Sequence, residues 1–280
     1  MIRNNSGLQM NLDDIKARGL ILIGCGKMGS AMLAGWLDSG IPASSIWVSD
    51  PQPSAWLSAT GVNLNKSLPD DPAVCLIAVK PQIIFETISN LNGFKQSETL
   101  FISIAAGITL KQLEQAISSD STIIRAMPNT PSAVGKGITA LIGNSVAKRE
   151  HILISKILLE KISEVVELEH EDQMDIVTGL SGSGPAYVFY LIESLTNAGI
   201  ELGLSKEKAL RLAKATVAGS GALAMRSSEN PSVLRGNVTS PNGTTQAGLE
   251  ILMDKKYGLR PLIKNTVEAA AKRSKELGNG

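Results

Sequence analysis

The stretch "GLILIGCGKMGSAMLAGW", residues 19–36, joins a short apolar run to a helix-like segment through the spacing GxGxxG. Because glycine has no Cβ, Gly24 can make the tight turn, Gly26 can admit a pyrophosphate to the backbone, and Gly29 can pack the helix against the strand. The free N–H groups and dipole of the helix amino terminus favour negative charge. The predicted cofactor contacts here are Gly24, Gly26, Lys27, Met28 and Gly29. An ordinary strand-to-helix turn is the alternative.

An acidic residue, Asp50, ends the next apolar run, "SIWVSD". A carboxylate at this position of a dinucleotide-binding unit accepts hydrogen bonds from the adenosine ribose and repels a 2′-phosphate. Asp50 therefore favours NADH over NADPH as cofactor. The preference stays open, because the neighbouring Ser49 and Gln52 can donate to a phosphate, and an aspartate before Pro51 is also a common turn former.

From residue 18 to residue 143, short apolar runs alternate with longer amphipathic ones, which is typical of strand and helix units in a parallel sheet. Residues 73–79 contain no polar side chain, so we place this strand at the centre of the sheet with helices on both faces. The predicted fold class is α/β, a Rossmann-like domain with a largely parallel sheet followed by an all-α domain. Its predicted strands begin at Gly19, Ser45, Ala73, Thr99, Thr122 and Gly137.

Two later strands should end at the same crevice, because ligands of open parallel sheets collect at the carboxyl edge. In "AVKPQ" we predict cofactor contacts by Val79 and Lys80, with Lys80 reaching a ribose or phosphate. In "SIAAGIT" we predict contacts by Ala105 and Ala106, which are too small to block a nicotinamide ring. A solvated lysine and simple tight packing are the respective alternatives. The loop "RAMPNTPSAVGKG" can shape the site without touching the reacting atoms.

The alternation stops near residue 170, and the segments beyond it are helical in character. We therefore predict a Rossmann-like NAD(P)-binding domain over residues 1–170, of which residues 1–17 are a polar extension, and a helical domain over residues 171–280. Residues 186–195 and 210–225 are too apolar, or too rich in small residues, for a lone surface helix. We expect them to face a second subunit, with a monomeric core as the alternative.

The balance of charge limits the classes of partner. The 27 Lys and Arg residues nearly cancel the 26 Asp and Glu residues, which argues against nucleic acid and against an anionic membrane surface. Cys25 and Cys75 form no CxxC pair, so neither a disulfide framework nor a metal site is expected. With no apolar stretch suited to export or to a membrane span, we predict a cytoplasmic protein with a small-molecule substrate.

A nicotinamide enzyme also needs a group that handles the proton accompanying the hydride. His151 and His170 lie outside every motif, and Tyr187 and Tyr190 belong to an apolar segment. Carbonyl reduction needs a strong proton donor to the developing alkoxide, and none of these residues is a convincing candidate for that function. Reduction of a C=N bond asks for less, because an iminium is already electrophilic and needs mainly orientation.

Residues 236–248, "GNVTSPNGTTQAG", carry no charge. They belong to a series of motifs whose order along the chain is characteristic, the others being "IGCGKMGSAM", "AVKPQ", "SIAAGIT", "IIRAMPNTP" and "LSGSGPAY". From about residue 20 to residue 277 the chain resembles the pyrroline-5-carboxylate reductases. The resemblance implies a helical domain through which subunits interlock as dimers, often assembled into larger rings. It also implies hydride transfer from NADPH or NADH to the C=N carbon of 1-pyrroline-5-carboxylate, giving L-proline in the last step of proline biosynthesis.

Matched to the family's motif, Thr245 takes the catalytic position whose hydroxyl contacts the ring nitrogen. Ser240 and Thr244 fall in the loop that receives the substrate carboxylate, largely through backbone N–H groups, and Asn237 falls where the family touches the cofactor near the nicotinamide. The sequence itself is consistent with this, because residues 242–245 lead into a plausible helix whose free N–H groups suit a carboxylate. Helix capping by Thr244 and Thr245 is the alternative.

Three residues depart from the family pattern: Asn242 stands where many relatives have glycine, Gly236 where they have aspartate, and Asp50 where small polar or basic residues are usual. Because asparagine tolerates left-handed backbone geometry, we expect the turn at Asn242 to survive. The loss of an acidic side chain at Gly236 can alter an ion pair or a subunit contact. Two other functions stay open at this point, a non-catalytic dinucleotide-binding regulator and a small hydroxy-acid dehydrogenase.

Overall fold

A computed structural model describes residues 13–91 and 98–278 of the chain. The predicted polar extension lies partly outside this range, and residues 13–18 form a helix, α1. The chain divides into two compact units. The first contains the described residues up to Gly182 together with those from Ala271 onward, and the second is Ser183–Ala270.

One sheet organises the first unit. Within the described residues it has eight strands in the order β3-β2-β1-β4-β5-β6-β7-β8. The first six strands run parallel, β7 is antiparallel to β6, and β8 is parallel to β7. The strands are β1 Leu20–Ile23, β2 Ile46–Ser49, β3 Asn63–Leu64, β4 Val74–Ile77, β5 Leu100–Ser103, β6 Thr122–Met127, β7 Gly137–Gly143 and β8 Ser163–Glu167. All six predicted strands are confirmed, whereas β3 and β8 were missed by the sequence analysis.

The central strands are buried on both faces, as the run of apolar residues in β4 predicted. Alternate residues of β1 enter different hydrophobic clusters, Leu20 and Leu22 on one side and Ile21 and Ile23 on the other. Every residue of β1, β4 and β5 is buried. The helices of this unit are α2 Lys27–Asp38, α3 Ala55–Ala59, α4 Ile84–Ser89, α5 Leu110–Ala116, α6 Arg149–Leu159 and α7 Gln173–Val177.

The segment just beyond residue 170 packs with the sheet unit. The buried guanidinium of Arg125 on β6 donates from Nη1 to Glu171 Oε1 at 2.7 Å, and the backbone N–H of Leu110 donates to the same oxygen at 2.7 Å. Further along, Asn129 Nδ2 donates to the carbonyl oxygen of Ser181 at 3.1 Å. The compact unit therefore continues to Gly182, past the predicted domain boundary.

The end of the last helix, α12 (Leu259–Gly278), also belongs to the first unit. Its Ser274 hydroxyl donates to Asp175 Oδ1 at 2.7 Å, and Gln112 Nε2 donates to the carbonyl oxygen of Gly278 at 2.8 Å. These polar contacts tie the final turns of the chain to α5 and α7. A contact between segments so distant in sequence leaves no local pattern, so the sequence did not indicate that the end of α12 packs with the first unit.

The second unit contains α8 Gly184–Glu201, α9 Lys206–Arg226, α10 Pro231–Asn237, α11 Thr244–Leu252 and the first part of α12. The helices α8 and α9 approach closely where a Cβ added to Gly199 would lie 3.2 Å from the Cβ of Ala209. Large apolar side chains nevertheless stay exposed, among them Phe189 at 62% and Tyr190 at 69%. Across residues 13–91 and 98–278, no helix is long and apolar enough to cross a membrane.

The ion pair of Glu171 gives a stability prediction. The change Glu171→Ala leaves the Arg125 guanidinium buried without its carboxylate, so we expect a loss of about 3 kcal/mol in the free energy of unfolding. Urea unfolding monitored by circular dichroism measures it.

The matched control is Glu167→Ala, which removes a carboxylate of similar exposure whose partners, Arg149 at 2.7 Å and Lys156 at 2.9 Å, are more exposed than Arg125. These hydrogen bonds lower the pKa of Glu167, so its contribution is present above the unfolded pKa and is lost as pH falls through the folded pKa. We expect a loss of about 1 kcal/mol or less at neutral pH. Equal losses in the two variants would contradict the structural role of Glu171.

Candidate functional site

The glycine loop between β1 and α2 has the geometry that a pyrophosphate requires. Gly24 has a φ of 87°, and its N–H donates to the carbonyl oxygen of Ser49 at 2.8 Å. A Cβ on Gly29 would collide with the carbonyl oxygen of Gly24, whereas a Cβ on Gly26 would meet nothing within 4 Å. Gly24 and Gly29 therefore close the turn, and Gly26 leaves open the side from which a ligand can approach.

The first turn of α2 follows this opening. Gly26 is the N-cap and offers no side-chain cap, and the first turn contains no acidic residue. Gly26 and Lys27 are exposed and Met28 is half-buried. A helix start with free N–H groups, the positive end of the dipole and a lysine fits a pyrophosphate. On these observations the residues present fit a dinucleotide cofactor.

Asp50 lies directly beside the loop and makes contacts that the sequence did not show. Its Oδ2 accepts from the N–H of Cys25 at 2.7 Å, and its Oδ1 accepts from the N–H of Gln52 at 2.8 Å. An ionised carboxylate has about four acceptor positions, so two remain for ribose hydroxyls. Asp50 thus has a structural function in the loop besides the ribose contact predicted for it.

Asn65, a residue that the sequence analysis did not identify, holds Asp50 in place. Its Oδ1 accepts from the N–H of Asp50 at 2.9 Å, and its Nδ2 donates to the carbonyl oxygen of Asp50 at 2.8 Å. Asn65 has a φ of 50°, a left-handed conformation that asparagine tolerates better than most residues. The surrounding sequence, "GVNLNKS" from residue 61, shows no strand periodicity and does not say which strand end this side chain contacts.

The cysteine of the loop is a packing residue. Cys25 is 7% exposed, and its Sγ lies 3.4 Å from the hydroxyl of Ser30, which donates to the carbonyl oxygen of Cys25. Burial raises the pKa of the Cys25 thiol, the negative charge of Asp50 raises it further, and only the Ser30 hydrogen bond lowers it. Burial also raises the pKa of Cys75 to about 12. Both cysteines are free thiols, and these shifts keep them protonated at neutral pH.

The two strands on the other side of β1 bring four further predicted cofactor residues to the same edge. Val79 follows β4, and its Cγ1 would lie 3.0 Å from a Cβ on Gly24, so it contacts the loop directly. Lys80 is exposed at the start of the next turn. Ala105 is buried and Ala106 half-buried just after β5. The next residue, Gly107, has a φ of 79° and packs on Leu277 of α12.

The second unit contains the predicted substrate loop. The N–H of Thr239 donates to the carbonyl oxygen of Gly236 at 2.9 Å, and the N–H of Gly243 donates to that of Ser240 at 3.0 Å. Asn242 has a φ of 57°, so the expectation that it keeps the left-handed turn is confirmed. A Cβ on Gly236 would meet nothing within 4 Å, so an acidic side chain can be accommodated there.

Helix α11 begins at Thr244, directly after this turn. Its N-cap is Gly243, which supplies no side-chain cap, and no acidic residue lies in its first turn. Neither Thr244 nor Thr245 therefore caps this helix. Thr244 is exposed and Thr245 half-buried, while Asn237 Nδ2 donates to Glu229 Oε2 at 3.3 Å. The loop offers free N–H groups and a hydroxyl within one turn.

His151 helps to cap the amino terminus of helix α6. His151 Nδ1 accepts from the N–H of Lys148 at 3.0 Å at the beginning of α6. Burial lowers the pKa of His151, an effect only partly opposed by Glu150. Among the residues that the structure describes, no group of His, Cys, Asp or Glu is arranged to hold a metal ion.

Comparisons with known proteins show the family to which the chain belongs. The family described as pyrroline-5-carboxylate reductase dimerisation matches residues 171–277, and the family described as NADP oxidoreductase, coenzyme F420-dependent, matches residues 20–107. Pyrroline-5-carboxylate reductase 1 of Bacillus spizizenii is 36% identical over 265 residues, which cover 92% of this chain and 88% of that protein. The Synechocystis reductase is 42% identical over 205 residues, covering 73% and 75%.

The chain belongs to the pyrroline-5-carboxylate reductase family. A solved pyrroline-5-carboxylate reductase from Coxiella burnetii superposes with a TM-score of 0.86 at 32% identity, covering 93% of this chain and 98% of that one. The Plasmodium falciparum enzyme, solved with NADP bound, gives 0.82 at 31% identity, covering 94% and 99%. The predicted resemblance and fold class are confirmed, and the dimerisation match of the reductase family begins at residue 171.

The glycine loop allows a test that separates folding from cofactor binding. The change Gly26→Ala places a Cβ in open space, so we expect thermal stability to change little while dinucleotide affinity falls about tenfold or more, because the methyl group occupies the approach to the backbone. The change Gly29→Ala forces a Cβ onto the carbonyl oxygen of Gly24, so it should lower thermal stability itself.

Calorimetric titration with NADH and NADPH, together with thermal unfolding, distinguishes the two effects. Tight dinucleotide binding by the Gly26→Ala protein would show that the pyrophosphate binds elsewhere.

Proposed function

We propose that this chain reduces the C=N bond of 1-pyrroline-5-carboxylate with NAD(P)H to give L-proline, the last step of proline biosynthesis. The observation that carries the proposal is the uncapped amino terminus of α11 beside Thr245, in a chain that belongs to the reductase family over most of its length. The glycine loop supports the dinucleotide part of the proposal.

The substrate carboxylate binds, on this proposal, at the start of α11. The first N–H groups of a helix have no partner within the helix, and the dipole places partial positive charge there. With Gly243 as N-cap, no side chain competes for these groups. Ser240 and Thr244 lie in the same loop, where their backbone N–H groups and hydroxyls complete the carboxylate site. The absence of charge from residues 240–245 fits this site, because an acidic side chain directly at the start of α11 would repel the substrate carboxylate.

Thr245 is the proposed catalytic residue, with its hydroxyl at hydrogen-bond distance from the ring nitrogen. A threonine hydroxyl is too weak an acid to ionise at neutral pH, so it orients the iminium or passes on a proton that it regains from water. Holding both the carboxylate and the nitrogen fixes the plane of the ring. Orientation of this kind lowers the barrier by bringing the reacting atoms together in advance.

The nicotinamide cofactor, when bound, supplies the hydride that reduces the C=N carbon. Gly24, Gly26, Lys27, Met28 and Gly29 hold its pyrophosphate on this proposal. The other proposed contacts with the cofactor are Asp50, Val79, Lys80, Ala105, Ala106 and Asn237.

We further propose that NADH is the preferred cofactor, on the basis of Asp50. Its carboxylate lies 2.7 Å from the N–H of the glycine loop, at the end of β2 where the adenosine ribose binds in this fold. Negative charge at this place repels a 2′-phosphate, while the carboxylate's free acceptor positions suit the ribose hydroxyls.

The proposed assembly is a homodimer, or a larger homo-oligomer built from dimers, without nucleic-acid or membrane partners. The match to the dimerisation family and the exposed apolar side chains of α8 and α9 support the dimer. The near-neutral charge supports the absence of polyanionic partners. We place the protein in the cytoplasm, for which the two free thiols are the support.

The catalytic function of Thr245 is tested with two substitutions of similar size. We expect Thr245→Val, which keeps the shape but removes the hydroxyl, to lower kcat/KM for 1-pyrroline-5-carboxylate on the order of 10- to 100-fold. The change Thr245→Ser keeps the hydroxyl and should retain most of the activity. Steady-state kinetics with a saturating cofactor measure both, and equal activity of the valine variant and the wild type would refute the assignment.

Cofactor preference is tested by the ratio of kcat/KM with NADH to that with NADPH. The wild type should favour NADH, and Asp50→Ser should shift the ratio toward NADPH by about tenfold, because a repulsive charge is removed. An unchanged ratio would mean that Asp50 does not discriminate between the two cofactors.

A further inference from the structure

The Asp50 carboxylate joins two parts of the cofactor site through backbone N–H groups. One oxygen accepts from Cys25, the second residue of the glycine loop, and the other accepts from Gln52 in the turn after β2. These contacts require the Asp50 backbone to keep one orientation. A rotation of its peptide groups would swing the carboxylate away from the loop and from the ribose position together.

The sheet itself does not fix that orientation. The strand β3 has only two residues, Asn63 and Leu64, and its pairing with β2 reaches no further than Val48 opposite Leu64. Asp50 lies two positions beyond this pair, and on the other side of β2 the pairing with β1 ends at Ser49, opposite Ile23. Regular strand pairing therefore ends before the residue whose side chain must be placed accurately.

The side chain of Asn65 supplies the missing pairing. Its amide oxygen accepts from the N–H of Asp50 at 2.9 Å and its amide nitrogen donates to the carbonyl oxygen of Asp50 at 2.8 Å, while its own N–H donates to Val48 at 2.8 Å. The amide thus satisfies both backbone groups of one residue, as a further strand residue would. The left-handed φ of 50° turns the chain away after β3 and directs this side chain along β2.

We propose that Asn65 is a positioning residue for the ribose end of the cofactor site, acting through Asp50 on the glycine loop. This inference rests on the proposed function only in its use of a dinucleotide cofactor. The inference goes beyond the ribose contact of Asp50. It assigns an effect on cofactor affinity, and on the choice between NADH and NADPH, to Asn65, whose side chain forms hydrogen bonds only with backbone groups. Loss of the Asn65 amide should release the Asp50 carboxylate from the N–H of Cys25.

The test uses Asn65→Gly, because glycine accepts the left-handed φ without strain and removes only the side-chain amide. The chain offers a matched control in Asn63→Ala. Asn63 also binds the backbone of this region through its side chain, with Nδ2 donating to the carbonyl oxygens of Ser44 at 2.8 Å and Ile46 at 3.3 Å, but at the opposite end of β2. Both variants lose backbone contacts of β2, and only one of them affects Asp50.

Calorimetric titration with NADH and with NADPH gives the first readout. We expect Asn65→Gly to weaken NADH binding about fivefold, the order expected for one net hydrogen bond. NADPH binding should weaken less, because the repulsive carboxylate is released at the same time, so the preference for NADH falls. The Asn63→Ala protein should bind both dinucleotides within about twofold of the wild type. These titrations need no imine substrate, so they stand whether or not the proposed reaction is correct.

The second readout observes the Cys25 N–H without any cofactor. The chain has only two cysteines, so protein labelled with [15N]cysteine gives two amide signals, which Cys75→Ala assigns. The backbone nitrogen of Cys25 lies 2.7 Å from Asp50 Oδ2, and a strong hydrogen bond to a carboxylate moves an amide proton downfield. The Cys25 amide proton should therefore resonate downfield in the wild type and move upfield in Asn65→Gly. The Cys75 signal, from the centre of β4, serves as the internal reference.

Two results would contradict the positioning function of Asn65. An unmoved Cys25 signal with unchanged affinities in Asn65→Gly would overturn the proposal. Equal weakening by Asn65→Gly and Asn63→Ala would overturn it too, because it would reduce Asn65 to a general stabiliser of β2. If Asn65→Gly does not fold, Asn65→Gln replaces it. That variant keeps a neutral amide but displaces it by one methylene group, so it adds no charge and should show smaller changes of the same sign.

Discussion

The close approach of Gly29 to the carbonyl oxygen of Gly24 is the constraint on which the cofactor half of the structure depends. A Cβ on Gly29 would collide with this oxygen, so α2 can start where it does only with glycine at this place. The contact fixes the start of α2 beside the ends of β1, β2 and β4. The N–H groups of the helix, the Asp50 carboxylate and Val79 then lie around one opening, which Gly26 leaves free of side-chain atoms.

The proposed substrate site at the start of α11 uses the same physical principle as the start of α2. In α2 and in α11 a glycine is the N-cap and contributes no side-chain cap, so each helix keeps free N–H groups for an anion. A Ser, Thr, Asp or Asn N-cap would stabilise either helix by only a few tenths of a kcal/mol relative to glycine, and its oxygen would occupy the position that the ligand needs. We interpret the omission of a cap in both helices as stability given up for binding, a pyrophosphate in one unit and a carboxylate in the other.

The sequence predicted what depends on local pattern and missed what depends on distant contacts. The apolar run at β4, the GxGxxG spacing and the left-handed turn at Asn242 were all visible, because each is set by the type of residue and its neighbours. The sequence did not reveal the hydrogen bonds of Asn65 with the backbone of Asp50 or the ion pair of Glu171 with Arg125, because each joins residues that only the folded chain brings together. The two-residue β3 is too short to show any periodicity. The site residues carried over from the family motif stay predictions.

On the proposed mechanism this chain delivers a hydride to the C=N carbon of a cyclic imino acid while a helix start holds the carboxylate. Turnover of 1-pyrroline-5-carboxylate with cofactor deuterated at C4 of the nicotinamide, on the face that the enzyme uses, tests both parts. We expect L-proline with one deuterium at C5, and little turnover of 1-pyrroline, which has the imine but no carboxylate. Formation of unlabelled proline, or equal turnover of 1-pyrroline, would contradict it.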